Sequence, residues 1–454
     1  MMLHAVRRAK SCRLALVFWG LVAVQGVSLG QGLEQLHRQV LAQLPSQADR
    51  PVAPTHPVFD GLLIRALSGH PNVRSALSLA QGAAFDVDVA KWGFWPSLTV
   101  NAQRTDNPPN ETPGSSNFTI QQPLWTAGAL TARLSAAEKA GLAIGEQLHV
   151  VRGDLALRLV DAWAVLLDAE STRLVTTRAL EGLNRYQAIM QRRVQAGFSS
   201  AVELRLLSVR VTRAQTDLAD ADVSSVIAIK RFEQLVGAPV QAALSDLRQP
   251  LPRSALGQWV SAQPTVFAAD RLAQLPAVRK AELDAAVAAD QLAAQKADRW
   301  PKLVLSYQHR LGGLPTNYDR RVWALGFNYA PGAGLAALSQ SSAEQARLQA
   351  RLDAVDSVRE EKQEQLMVDW AALQREFDRE RSLVATISSA ADVLASYERL
   401  YFGGLKSWLE VLNALQELTQ SELRLAQSDN ATTVAYYRWR LRGGDLPLNS
   451  DWMR

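Results

Sequence analysis

Residues 70–76, His-Pro-Asn-Val-Arg-Ser-Ala, return at 275–281 as Leu-Pro-Ala-Val-Arg-Lys-Ala. The match runs on without a gap: Lys91 meets Lys296, Trp95-Pro96 meets Trp300-Pro301 and Leu98 meets Leu303, always 205 residues apart. Gly128 and Ala137-Glu138 then meet Gly334 and Ala343-Glu344 at an offset of 206. Gly197, Glu203, Leu218, Ala219 and Gly237 meet Gly404, Glu410, Leu425, Ala426 and Gly444 at 207. Two short loop insertions account for the drift, and its order through three blocks distinguishes a duplication from shared apolar composition. The period is too long for a solenoid, so the chain is a duplicated half-molecule. The expected organisation is a signal peptide at 1–30, an N-terminal segment at 31–57, a first repeat at 58–245, a linker at 246–260, a second repeat at 261–445 and a tail at 446–454.

Each repeat reads as a helix, two strands and a long helical hairpin. No proline interrupts Leu124 to Ala238 or Gly332 to Leu446, although the chain has 19. Proline breaks helix interiors, so these stretches can be continuous helix. Apolar residues keep a three-four spacing through Leu204, Leu207, Val211, Ala214, Leu218, Ala221, Ala228, Phe232 and Leu235, and again through Leu366, Trp370, Leu373, Phe377, Val384, Ile387, Ala391 and Leu394. Such a seam predicts coiled-coil packing, and its alanines allow close approach. Helices of about 60 residues would run roughly 90 Å, beyond what a compact domain houses.

The strands are predicted where proline permits a change of structure. Leu98, Val100 and Ala102 alternate with Thr99, Asn101 and Gln103 after Trp95-Pro96, and Phe118 and Ile120 share a face of the partner run at 117–125. In the second half Leu303, Leu305 and Tyr307 form one face, and Trp323, Leu325, Phe327 and Tyr329 another. The loop Asn107-Pro-Pro-Asn-Glu-Thr-Pro-Gly-Ser-Ser separates the first two strands. Segments of about ten residues with one apolar face and aromatics near the ends fit a transmembrane barrel or a soluble hairpin with one buried face.

Arg7, Arg8, Lys10 and Arg13 precede the apolar run 14–24, and small residues follow, which predicts a secretory signal peptide. That run is shorter than the roughly 20 residues of a spanning helix. The formal charge of +5 includes those four basic residues, which leaves about +1 for the remainder and removes the basis for nucleic-acid binding. The single cysteine, Cys12, lies in the leader, so no disulfide or thiolate chemistry is expected. The six histidines, His4, His37, His56, His70, His149 and His309, show no metal-ligand spacing. Gly312-Gly313 and Gly332-Ala-Gly334 read as turns, no phosphate-binding loop is present, and neither an enzyme activity nor a cofactor is expected.

From about residue 57 to 445 the sequence resembles the TolC family of outer-membrane channels. The resemblance rests on the duplication, the Trp-Pro junctions, Gln121-Gln-Pro-Leu-Trp-Thr-Ala-Gly, and a hairpin pattern that occurs twice, Gly197-Phe-Ser-Ser-Ala-Val-Glu-Leu and Gly404-Leu-Lys-Ser-Trp-Leu-Glu-Val. It implies an α+β membrane protein in which a homotrimer closes a twelve-stranded outer-membrane β-barrel, four strands per protomer, continuous with a periplasmic α-helical coiled-coil barrel. It also implies an exit duct of a tripartite system, fed through a periplasmic adaptor by an inner-membrane ABC or RND-type transporter, for type I protein secretion or small-molecule efflux. A periplasmic coiled-coil adaptor or scaffold is the alternative. By the same resemblance Tyr401 and Lys406 fall at the tip of the second hairpin, Glu410 and Asn413 at two pore-ring positions, and Glu203 at a latch carboxylate facing Lys406 and Tyr401. Asn413 stands where a second carboxylate is expected, and Lys406 where an arginine is.

Overall fold

The computed structural model describes residues 53–103, 115–263, 269–311, 321–329 and 336–446. The signal peptide, the 107–116 loop except its last two residues and the glycine turns at 312–313 and 332–334 lie outside them. In chain order the elements are α1 (Pro57–Gly69), α2 (Pro71–Trp92), β1 (Ser97–Gln103), β2 (Ser115–Trp125), α3 (Ala129–Gln195), α4 (Ala201–Val236), α5 (Leu244–Leu247), α6 (Arg253–Ala262), α7 (Ala269–Ala273), α8 (Pro276–Ala297), β3 (Lys302–Leu311), β4 (Arg321–Asn328), α9 (Ala336–Phe402) and α10 (Trp408–Arg442). Contacts divide the chain into residues 1–55 with 251–264, whose described helix is α6, and residues 56–250 with 265–454, which hold every other element.

The duplication is visible element by element. The short helices α2 and α8 each have 22 residues and start on a proline, 205 residues apart. Proline is well placed there, because the first turn needs no N–H partner and φ is already helical. The long helices α3 and α9 each have 67 residues, about 100 Å of helix at about 1.5 Å per residue.

The four strands form one antiparallel sheet in the order β1-β2-β3-β4. Ile120 on β2 stands opposite Leu98 on β1 and Tyr307 on β3, and Tyr307 in turn packs on Trp323 of β4 at 4.6 Å. Pro123 lies past the end of β1 and beside a register shift in the β2–β3 pairing, where a strand tolerates a residue without N–H. Leu98, Val100, Leu325, Phe327 and Tyr329 are all exposed, an apolar face that nothing in the chain covers among the described residues. Contiguous apolar surface of this kind marks a lipid or protein contact. Among the described residues no helix is long and apolar enough to cross a membrane.

Towards its N-terminus α3 lies between α2 and α8. Buried alanines line these helices, Ala83 on α2, Ala136 and Ala143 on α3, and Ala285 and Ala288 on α8. Three ionic contacts tie α3 to α8: Arg133–Asp298 at 2.6 Å, Lys139–Asp290 at 2.7 Å and Glu146–Arg279 at 3.0 Å. The C-terminal part of α3 meets α4 and α10. The predicted seam of α4 is buried at Leu207, Val211, Ala214, Ala221, Ala228 and Phe232. In α9 the seam is buried at Leu366, Trp370, Leu373 and Leu394, whereas Val384 and Ala391 are exposed. Helix α1 is held by aromatic rings: Phe59 stacks on Trp163 at 4.0 Å and meets Tyr437 edge-on. The Tyr437 hydroxyl donates to Asp60 at 3.0 Å and accepts from the His56 N–H at 2.8 Å.

One carboxylate is buried at mid-height of α3. Glu170 takes ion pairs from Arg173 and Arg248, each at 3.1 Å, and a short hydrogen bond from Ser225 on α4. Burial alone would raise its pKa; the bonds from Arg173 and Ser225 and the neighbouring guanidinium charges bring it below the ordinary value. A buried charge left without its partner is costly, and both arginines here keep part of their hydration. Glu170→Ala should therefore destabilise the protein by about 2–3 kcal/mol. A fall in the thermal midpoint of detergent-extracted protein tests this, with Asp88→Ala, which removes an exposed pair to Lys91, leaving the midpoint in place.

Candidate functional site: the two hairpin tips and the membrane sheet

The repeated hairpin motif builds the same tight turn twice. Gly197 and Gly404 adopt φ of +76° and +74°, in the left-handed region that favours glycine. The next N–H reaches back five residues, Phe198 to the Arg193 carbonyl and Leu405 to the Leu400 carbonyl, which closes the preceding helix. The following serine opens the next helix. Ser200 and Glu203, like Ser407 and Glu410, form complete capping boxes, each glutamate accepting the N–H of its serine. The motif is thus a helix stop, a turn of a few residues and a helix start.

The two tips of one chain pack together. Met190, Leu207, Val211, Leu394, Tyr401, Trp408, Val411 and Leu412 form a buried cluster drawn from all four helices. Tyr401 is buried within it, and its hydroxyl lies 3.0 Å from the Ser199 hydroxyl. Arg193 donates to the same Ser199 oxygen at 3.1 Å and holds its guanidinium over the rings of Tyr401 and Phe402. Tyr186 makes a short bond to Glu398 of the other hairpin. Outside this cluster the tips expose Phe198, Val202, Leu405 and Leu409.

Lys406 pairs with Glu410 at 2.5 Å and stands 4.6 Å from the ring centre of Tyr397. Asn413 is exposed one turn further on. Within one chain Glu203 makes no hydrogen bond or ion pair to Lys406 or Tyr401; its carboxylate is engaged at Ser200. The structure therefore brings together Tyr401 with Ser199 and Lys406 with Glu410. Sequence reasoning missed Arg193 and Ser199, because nothing in their spacing announces a contact across 202 residues. The capping role of Glu203 and Glu410 could have been read from Ser-x-x-Glu. Among the described residues no group of three or more His, Cys, Asp or Glu could hold a metal ion.

Residues 62–238, from α1 to the end of the first hairpin, match the family model described as outer membrane efflux protein. That match covers the first of the two repeats. No curated protein matches its sequence. Among solved structures, the outer-membrane channel OprN aligns with a TM-score of 0.75 at 18% identity, covering 89% of this chain and 95% of that one. CusC, described through its transmembrane channel formation, aligns at 0.73 and 17%, covering 88% and 98%. The outer membrane protein VceC from Vibrio cholerae aligns at 0.70 and 16%, covering 86% and 96%. At these identities the structural likeness establishes the fold, helices continuing a small β-sheet. The family matched over the first repeat is one of outer-membrane proteins of efflux, and the fold over most of the chain is similar to that of outer-membrane channels. The family is one of channels and not of enzymes.

Glu410 provides a pH test of the tip. Hydrogen bonds from Lys406 and from the Ser407 N–H and hydroxyl hold its carboxyl down at about 2. A depressed carboxylate pKa stabilises the fold above the unfolded value and loses that contribution as pH falls through the folded one. The Ser407 amide should keep its exchange protection factor from neutral pH to about pH 4 and lose it towards pH 2. In Glu410→Gln the protection should be lower and flat over that range, as hydrogen exchange would read.

Proposed function

We propose that the protein is the outer-membrane exit duct of a tripartite export system, receiving substrate from an inner-membrane ABC or RND-type transporter through a periplasmic adaptor. The observation that carries this reading is a four-stranded sheet with two unpaired edges, continuous with helices about 100 Å long. Strands with free edges do not persist in hydrocarbon, and four strands cannot close around a channel. A homotrimer supplies twelve. The apolar tips at Phe198, Val202, Leu405 and Leu409 support contact with an adaptor at the periplasmic end. Efflux is favoured over type I secretion by the description of the matching family.

Light scattering of the detergent-extracted protein should give a trimer, and a planar bilayer should show small, cation-preferring channels. Glu410 is the proposed ring carboxylate, with Asn413 at the second ring position adding no charge. Each Glu410 lies beside Lys406, which offsets much of its field. Glu410→Gln should therefore lower cation preference modestly, and Lys406→Ala should raise it. A stable monomer with full strand content would defeat the architecture, and unchanged selectivity in both variants would remove Glu410 from the pore.

The latch is proposed between hairpins of adjacent copies, Glu203 of one facing Lys406 and Tyr401 of the next. Its support is the position of these residues at the tips, where opening must separate the hairpins. Such contacts stabilise only the closed state, so their loss shifts the population towards open. Lysine gives no bidentate fork, and each pair contributes about 1 kcal/mol or less. Lys406→Ala with Tyr401→Phe should raise single-channel conductance, while Arg399→Ala, whose guanidinium bonds Ser396 outside the contact, should not. Equal conductance in all of these would assign the closed state to the apolar cluster instead.

A further inference from the structure

The strand registers sort the side chains of the sheet onto two faces. Tyr307 and His309 of β3 stand opposite Trp323 and Arg321 of β4, on the apolar face that also holds Leu325 and Phe327. Successive residues alternate between faces, so Gln308, Arg310 and Asn328 lie on the polar one. Arg310 is therefore level with His309 and Arg321 but turned the other way.

Every helix joins the sheet at one end. Helices α2 and α8 lead into β1 and β3 through Trp95-Pro96 and Trp300-Pro301, and β2 and β4 lead out into α3 and α9. His309 and Arg321 lie at the opposite end. Strand β4 has 8 residues, and a tilted strand crosses hydrocarbon in about 9–11. With the helices in the periplasm, Arg321 thus stands at the headgroup level of the outer leaflet. The cost of a charge on the lipid face falls steeply towards that level.

Arg321 is exposed and, among the described residues, has no ion pair or side-chain hydrogen bond. The four strands contain no Asp or Glu that could answer it. The Nδ1 of His309, its cross-strand partner, is shielded and without a hydrogen-bond partner. One step towards the helices the rings of Tyr307 and Trp323 meet at 4.6 Å, and Trp323 is 68% exposed. Amphipathic rings of this kind sit where headgroups give way to acyl chains.

We propose that Arg321 and His309 form an outer-leaflet site for the phosphate of an anionic lipid, whose acyl chain lies over Trp323 and Tyr307. The inference rests on the channel reading above and adds to it a ligand of stated chemistry. The guanidinium fork of Arg321 binds a phosphate through two parallel N–H bonds. The imidazole beside it supplies a further N–H. A free phosphate would use only the polar half of this site and leave Trp323 uncovered.

Native mass spectrometry of the detergent-extracted full chain, titrated with lipid A as a diphosphorylated glycolipid, reads the affinity. Arg321→Gln should weaken binding about fivefold, and His309→Gln should weaken it by less. Arg310→Gln, on the polar face at the same height, should leave it unchanged. Lipid A stripped of its phosphates should bind the wild type about as weakly as intact lipid A binds Arg321→Gln, and inorganic phosphate should not displace the lipid. Equal affinity in the wild type and Arg321→Gln, or a loss at Arg310→Gln in its place, overturns the site. Displacement by inorganic phosphate makes it a free-anion site and overturns the lipid assignment. In phosphatidylcholine bilayers the wild type and Arg321→Gln should conduct alike, so failure of the lipid site leaves the channel reading standing. Absence of channels in both overturns the channel reading itself.

Discussion

A peptide N–H or C=O without a partner costs several kcal/mol in hydrocarbon, and β1 and β4 each present a row of them. Everything else in the architecture answers to that constraint. The four strands have an apolar face suited to lipid, yet they cannot enter lipid as an open sheet. Continuing the sheet through further copies of the same chain removes every edge. The first hairpin leaves the sheet through a fixed junction: Gln122 reaches the Phe94 carbonyl, and the Ala127-Gly128 turn with positive φ starts α3.

Duplication is the economical way to meet this constraint. A half with two strands and one hairpin presents two different joining surfaces, and a tandem copy joins one to the other inside the chain. The join is not a perfect repeat. Lys139 and Asp290 form an ion pair inside the chain where the outer surface of α2 carries Phe85. The joint inside the chain is ionic at this point, and the equivalent surface of α2 is apolar and exposed. The exposed seam positions of α9, Val384 and Ala391, belong to the same picture of a protomer with surfaces still open.

Much of this was legible in the sequence. The proline-free stretches hold the long helices, the Trp-Pro pairs marked the junctions, and strand alternation placed Leu98 and Phe327 on apolar faces. These signals are local, set by backbone geometry and period. The tip was legible in position but not in partners. Glu410 reads as a pore carboxylate by resemblance, while the fold gives it a capping serine and a lysine one turn away. The Arg193–Ser199–Tyr401 contact and the Glu170 network join residues from different helices, and no spacing rule reports a contact made only after the helices have packed.

The ring of aromatics around α1 has a kinetic meaning. Phe59 and Asp60, near the start of the described chain, find their partner in Tyr437, 377 residues after Asp60. Helix α1 therefore finds Trp163 early and its last partner, Tyr437, only when nearly the whole polypeptide has been made. Contacts so remote in sequence form late, and an apolar helix left waiting is open to aggregation. A truncated product lacking α10 would keep the Phe59–Trp163 stack and lose the Tyr437 edge and the hydroxyl that binds Asp60, so the N-terminal end of the described chain is sealed only by the last helix.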